Sequence, residues 1–123
     1  MDHDQIVSNK VIGCAIEVHR VLGAGLLESA YQTALCVELA QSGVRFTRQQ
    51  KHLLEYRGVI VGEYFPDLVV EDTVVVEIKS VLRMESVFTA QLLTYLRITG
   101  LHVGLILNFN NNVLKDGIKR VVR

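Results

Sequence analysis

Three side chains in one short stretch carry the chemistry open to this chain. Phe65-Pro66-Asp67-Leu68-Val69-Val70-Glu71-Asp72-Thr73-Val74-Val75-Val76-Glu77-Ile78-Lys79 sets an aspartate, a glutamate and a lysine among β-branched residues. The run reads as two apolar strands joined by a polar turn at Glu71-Asp72. Side chains alternate faces along a strand, so Glu77 and Lys79 share one face and Ile78 takes the other. A turn centred on Asp72 sets Asp67 opposite Glu77. Cross-strand neighbours on one face lie about 5 Å apart at Cβ. Two carboxylates that close repel each other unless a cation lies between them. A lysine beside them is a counter-ion, or it handles a proton or a water next to a metal. Glu-x-Lys alone is an ordinary solvated strand edge. Its context is what gives it weight, with Pro66-Asp67 upstream and a helical pattern carrying Gln91 and Tyr95 downstream.

Those residues need elements to hold them. Asp2 or Asp4 caps a first helix, in which Ile6, Val7, Val11, Cys14, Ala15, Val18, Val21 and Leu22 recur at helical spacing. It stops near Gly23, and Gly23-Ala24-Gly25 makes a tight turn. A second helix runs from about Leu27 to Gln41, with Gly43 as its stop. Glu28 falls in its first turn, where the helix dipole favours a carboxylate and a cation can be faced. Val44 to Tyr56 reads as extended, becoming a strand by Leu53, and Arg57-Gly58 as a hairpin turn. Val59 to Phe65 reads as the next strand, its line continuing past Pro66 toward Val70. Thr73 to Val81 is the third. A helix over Glu85–Thr99 stacks Gln91 and Tyr95 on one face. His102–Phe109 is an apolar strand, Asn110-Asn111-Asn112 a turn, and a last strand lies around Ile118–Val122. The order α-α-β-β-β-α-β-β belongs to the α/β (α+β) class, a mixed sheet flanked by helices.

The chain has 123 residues, 50% hydrophobic and 21% charged. That is globular, and residues 1–123 are expected to form a single domain. Thirteen basic residues balance thirteen acidic ones, so no overall positive field advertises a nucleic-acid partner. Basic residues cluster locally, as Arg45, Arg48, Lys51, His52 and Arg57, and as Lys115, Lys119, Arg120 and Arg123. Cys14 and Cys36 read as small buried hydrophobes of a reducing compartment. No Cys/His spacing suggests zinc. No basic-then-apolar leader pattern is present and no apolar run could span a bilayer, which predicts a cytoplasmic protein with no membrane partner.

In order along the chain stand Gly25-x-x-Glu28-x-x-Tyr31, Pro66-Asp67, Glu77-x-Lys79 and Gln91-x-x-x-Tyr95. This combination resembles the bacterial GxxExxY family, a branch of the PD-(D/E)XK nuclease superfamily, with the Gln-x-x-x-Tyr pair of its RecB-like members. The resemblance covers about Val7 to Val122. It implies a restriction-endonuclease-like α-β-β-β-α-β core, here with an extra N-terminal helix and C-terminal strand. It also implies metal-dependent hydrolysis of phosphodiester bonds in nucleic acid, DNA first. Asp67, Glu77 and the Ile78 carbonyl would hold Mg²⁺ or Mn²⁺, with Glu28 completing the site directly or through water; hard oxygen donors suit these ions. Lys79 would orient the attacking water or stabilise developing charge. Gln91 would position the water or Lys79, and Tyr95 would contact the nucleic-acid backbone or brace the site. A C2 homodimer is the cheapest way to supply two sites for a double-strand break. The other readings are a non-catalytic nucleic-acid- or protein-binding module on the same fold and, more weakly, a sugar or small-molecule hydrolase using paired carboxylates.

Overall fold

In the computed structural model, which describes residues Met1–Arg123, two helices open the chain, α1 (His3–Leu22) and α2 (Glu28–Gln41). The Asp2 carboxylate caps α1 by accepting the Gln5 N–H at 2.8 Å, and Gly23 ends it at φ 71°. Five strands follow: β1 (Phe46–Arg48), β2 (His52–Tyr56), β3 (Val59–Tyr64), β4 (Leu68–Val70) and β5 (Val74–Lys79). Then come α3 (Ser86–Thr99), β6 (Val103–Asn108), a 3-10 turn at Leu114–Gly117 and β7 (Ile118–Val122).

The main sheet has the order β1-β4-β5-β6-β7. β5 and β6 are parallel and every other pair is antiparallel, so the sheet is mixed. Parallel neighbours need a crossover, and α3 supplies it. β6 is buried at every position, as a central strand with helices on both faces must be. On one face, α1 and α2 set Val7, Val11, Tyr31, Leu35 and Leu39 against Leu68, Val76, Ile78 and Leu105. On the other, Leu92 and Leu96 of α3 pack on Val69, Val75, Ile106 and Val121. Cys14 and Cys36 are free and half-buried.

The expected α-β-β-β-α-β core is present, but its strands are not those the local pattern suggested. The core runs α2-β1-β4-β5-α3-β6, and β2 and β3 form a separate two-stranded sheet inserted between β1 and β4. The single strand expected over Val59–Val70 is broken at Phe65-Pro66-Asp67. Pro66 has no N–H for a ladder, and past it the chain leaves the hairpin to pair with β1, Phe46 opposite Val70 and Arg48 opposite Leu68. A hydrogen bond from the Gln49 N–H to the Asp67 carbonyl (3.0 Å) carries this ladder one step further. Only Leu68–Val70 of the expected strand therefore lies beside β5.

The β4–β5 register is the expected one, with Leu68 opposite Val76 and Val70 opposite Val74. Glu71 and Asp72 both have positive φ, 53° and 49°, and the Thr73 N–H reaches the Val70 carbonyl at 2.9 Å. This is the type I′ geometry that suits the twist of two short strands. Glu71 also accepts the Arg45 N–H (3.0 Å) and its guanidinium (3.1 Å), which ties the turn to the start of β1.

Candidate active site

Asp67 and Glu77 lie side by side at the open end of the β4–β5 pair. The Asp67 N–H donates to Glu77 Oε2 at 2.7 Å, and the Ile78 N–H donates to Asp67 Oδ2 at 2.8 Å. Beyond the last regular pair, each carboxylate thus stands in for a strand carbonyl and latches the other residue's strand. One oxygen of each is used this way, which fixes the carboxylate plane and leaves the second oxygen to bind something else. Glu77 is only 8% exposed. Burial, and then the Asp67 charge, push its carboxyl up to about 8. Asp67 is raised as well, mainly by burial, against the lowering effect of the Ile78 N–H and Lys79. The Lys79 ammonium sits over the Phe88 ring, 4.6 Å from its centroid, and forms no ion pair with either acid.

Glu28 is brought to the same end of the sheet, but not into the pair. Its Oε2 accepts the Ser80 N–H at 3.2 Å, and the Ser80 hydroxyl donates to the Leu26 carbonyl at 2.6 Å. The start of α2 is thereby bound to the end of β5. No three of the chain's His, Cys, Asp and Glu side chains form a group able to hold one ion, so the direct three-carboxylate set of Asp67, Glu77 and Glu28 is not assembled. The reason is local: Glu28 is exposed and engaged by Ser80. Its charge still reaches both acids and opposes their ionisation. Tyr31 is a fully buried core aromatic stacked on Phe109, with ring centroids 4.5 Å apart. Its hydroxyl donates to the Gly23 carbonyl and accepts the Leu26 N–H at 3.1 Å, so it clamps the turn that places Glu28.

Gln91 and Tyr95 face Glu77 and Lys79 from α3. With Tyr64, Ala90 and Thr94 they line a cleft of about 350 Å³. Burial raises the Tyr95 hydroxyl, and the charges of Glu77 and Asp67 add to the effect. The cleft opens beside the carboxyl end of β5, where open α/β sheets commonly bind their ligands.

A family model for the PD-(D/E)XK nuclease superfamily matches residues 5–121. The chain belongs to that superfamily. No curated protein and no solved structure matches it. Membership carries nuclease-type function and a nucleic-acid partner at the level of the superfamily, whose nucleases generally use divalent metal ions. The fold is consistent with the restriction-endonuclease-like architecture of PD-(D/E)XK proteins. No helix is long and apolar enough to cross a membrane.

Several residues around this candidate site gave no sequence signal, or only a faint one. Gln32 is 6% exposed, and its side chain helps to hold the Asp67 pKa down. It also accepts from Arg48 Nε at 2.7 Å, while Arg48 reaches Thr33 at 2.8 Å. Gln32 lies one turn beyond Glu28 on the same helix face, the only hint that spacing offered. Asn108, 3% exposed, accepts the Val81 N–H at 3.1 Å and donates to the Val81 carbonyl at 3.0 Å, fixing the chain just past Lys79. A lone asparagine inside the apolar run Leu105–Phe109 was a readable signal for it. Arg45 and Arg48 are both exposed, Arg45 paired with Glu71 and Arg48 with Gln32 and Thr33.

Proposed function

We propose that this chain is a metal-dependent nuclease of the GxxExxY branch that hydrolyses phosphodiester bonds, in DNA first. The observation that carries the reading is the latched Asp67–Glu77 pair, with Lys79 beside it at an open cleft. Two neighbouring carboxylates, Glu77 buried and Asp67 half-buried, with no ion pair to either, are a costly arrangement. A bound ion relieves it.

The donors fit Mg²⁺ or Mn²⁺, because all are hard oxygens. Asp67, Glu77 and the Ile78 carbonyl would hold the ion, and Glu28 would act through water, consistent with its engagement by Ser80. Bound there, the ion supplies a Lewis acid for the phosphate and a lower pKa for water. The chain's own groups do the rest. The Lys79 ammonium leaves Phe88 to orient the water or meet charge on the phosphoryl oxygens. Gln91 positions that water or Lys79. Tyr95 braces the cleft wall and contacts the backbone of the substrate. The setting we propose is cytoplasmic, in one 123-residue domain.

Labelled DNA and RNA incubated with Mg²⁺, Mn²⁺ or EDTA, beside Glu77→Ala, test the reading. Cleavage that needs the metal and Glu77 is expected; none on any substrate would sink it. The second reading, a binding module on the same fold, is favoured by Lys79 resting on the Phe88 ring with no ion pair to either acid. It predicts binding without cleavage and no divalent-metal protection against unfolding. A C2 homodimer is also proposed. Val59, Ile60 and Val61 of β3 are 62%, 56% and 57% exposed, on a strand whose outer edge is unpaired. Light scattering decides it, and a monomer at working concentration with full activity removes it.

A further inference from the structure

Tyr64 lines the cleft yet belongs to none of the motifs that drew attention to the site. It is the last residue of β3, so the inserted hairpin delivers it. Its ring stands nearly perpendicular to that of Tyr95, at 71°, with centroids 6.1 Å apart. The ring folds back over Gly62, two residues earlier on the same strand face; a Cβ there would come within 2.8 Å of Tyr64 Cε2. The bare α-carbon of Gly62 is what lets the ring lie against the cleft. Perpendicular rings leave two adjoining aromatic walls rather than one closed stack. Glu77 and Lys79 line the same cleft, and its roughly 350 Å³ suits one nucleotide rather than a base pair.

We propose that Tyr64 and Tyr95 receive one unpaired nucleobase beside the scissile phosphate, which makes single-stranded nucleic acid the substrate class. The inference rests on the nuclease reading and adds to it what the site accepts. Every base has a π-face, so stacking on tyrosine holds a strand without reading its sequence. A base that is still paired and stacked in a duplex cannot lay its face against either ring without first leaving its helix. Gln91 and Thr94, on the α3 wall, can meet the edge of whichever base enters.

The chain contains no tryptophan, so Tyr64→Trp installs a single indole reporter. With Ca²⁺ replacing Mg²⁺, its emission is expected to be quenched by a single-stranded oligonucleotide. The matching duplex, and the same strand with abasic sites, should quench it weakly. In cleavage assays Tyr64→Ala should raise KM for single strands about 5- to 100-fold. Tyr64→Phe should restore it. Gly62→Ala, which displaces the ring but keeps it, should weaken binding too. Equal quenching by duplex and abasic strands, or an unchanged KM in Tyr64→Ala, overturns the inference while leaving a cutting wild type a nuclease. A wild type that neither binds nor cuts any strand overturns both.

Discussion

Lys79 rests on Phe88 and forms no ion pair with either acid, so removing it leaves no carboxylate without a bonded partner. Lys79→Ala is therefore expected to leave Mn²⁺ protection largely in place and to lower kcat about 10²- to 10³-fold. Lys79→Arg should rescue little, because a planar guanidinium does not reproduce a compact ammonium. Full activity in Lys79→Ala would make it a surface residue. Glu77 makes a different prediction, because its carboxyl is pushed from the ordinary 4.5 up to about 8 by burial and by Asp67. Between those values the folded chain binds more protons than the unfolded one. Metal-free stability should fall as pH rises through that window and level off above it. Asp67, raised too, acts in the same direction. Mn²⁺ protection should grow over the same range, since the ion needs ionised ligands. Thermal unfolding from about pH 5 to pH 9, with EDTA or Mn²⁺, checks both slopes, and Glu77→Gln should flatten them.

At the scale of elements, the cleft depends on where α3 is seated. Gly104 on β6 faces Leu92 so closely that a Cβ would lie 2.7–2.8 Å from three of its side-chain carbons. Gly104→Ala should cost about 1–3 kcal/mol by overpacking. It should also lift the helix that carries Gln91 and Tyr95, so kcat/KM should fall in protein that is still folded. Unchanged kcat/KM would show the cleft wall to be independent of that contact. The Asp67–Glu77 juxtaposition was legible because a polar turn between two β-branched runs leaves one register that buries both. The break after Tyr64 was not. Val59–Val70 is strand-like on both sides of Pro66, and the proline alone does not say where the chain goes next; that is set by a non-local partner, Phe46–Arg48, which pairs with β4 from far upstream. Gln32 was hidden for a related reason, since one glutamine on a helix looks the same facing solvent or facing Asp67.

Over the whole molecule, zero net charge sits beside a nucleic-acid partner. Lys79 is the one cation among the residues that line the cleft. A plot of log affinity against log salt for single strands should be shallow, no steeper than about −2, which corresponds to roughly three phosphate contacts. A much steeper slope would mean that a wider surface, such as the Lys115–Arg123 cluster, joins the contact. The hairpin inserted between β1 and β4 has one more consequence. β1 and β4 are sheet neighbours whatever lies between them, and doubling the length of a flexible connection costs only about 0.6 kcal/mol. The stretch that presents Tyr64 can thus vary in length at little entropic cost to the sheet. On the proposed function, selection on the hairpin's length acts on the cleft more than on the folding of the sheet. Replacing residues 50–65 by the hairpin of another chain with this architecture should transfer strand preference and move the unfolding midpoint by only about 2–5 °C.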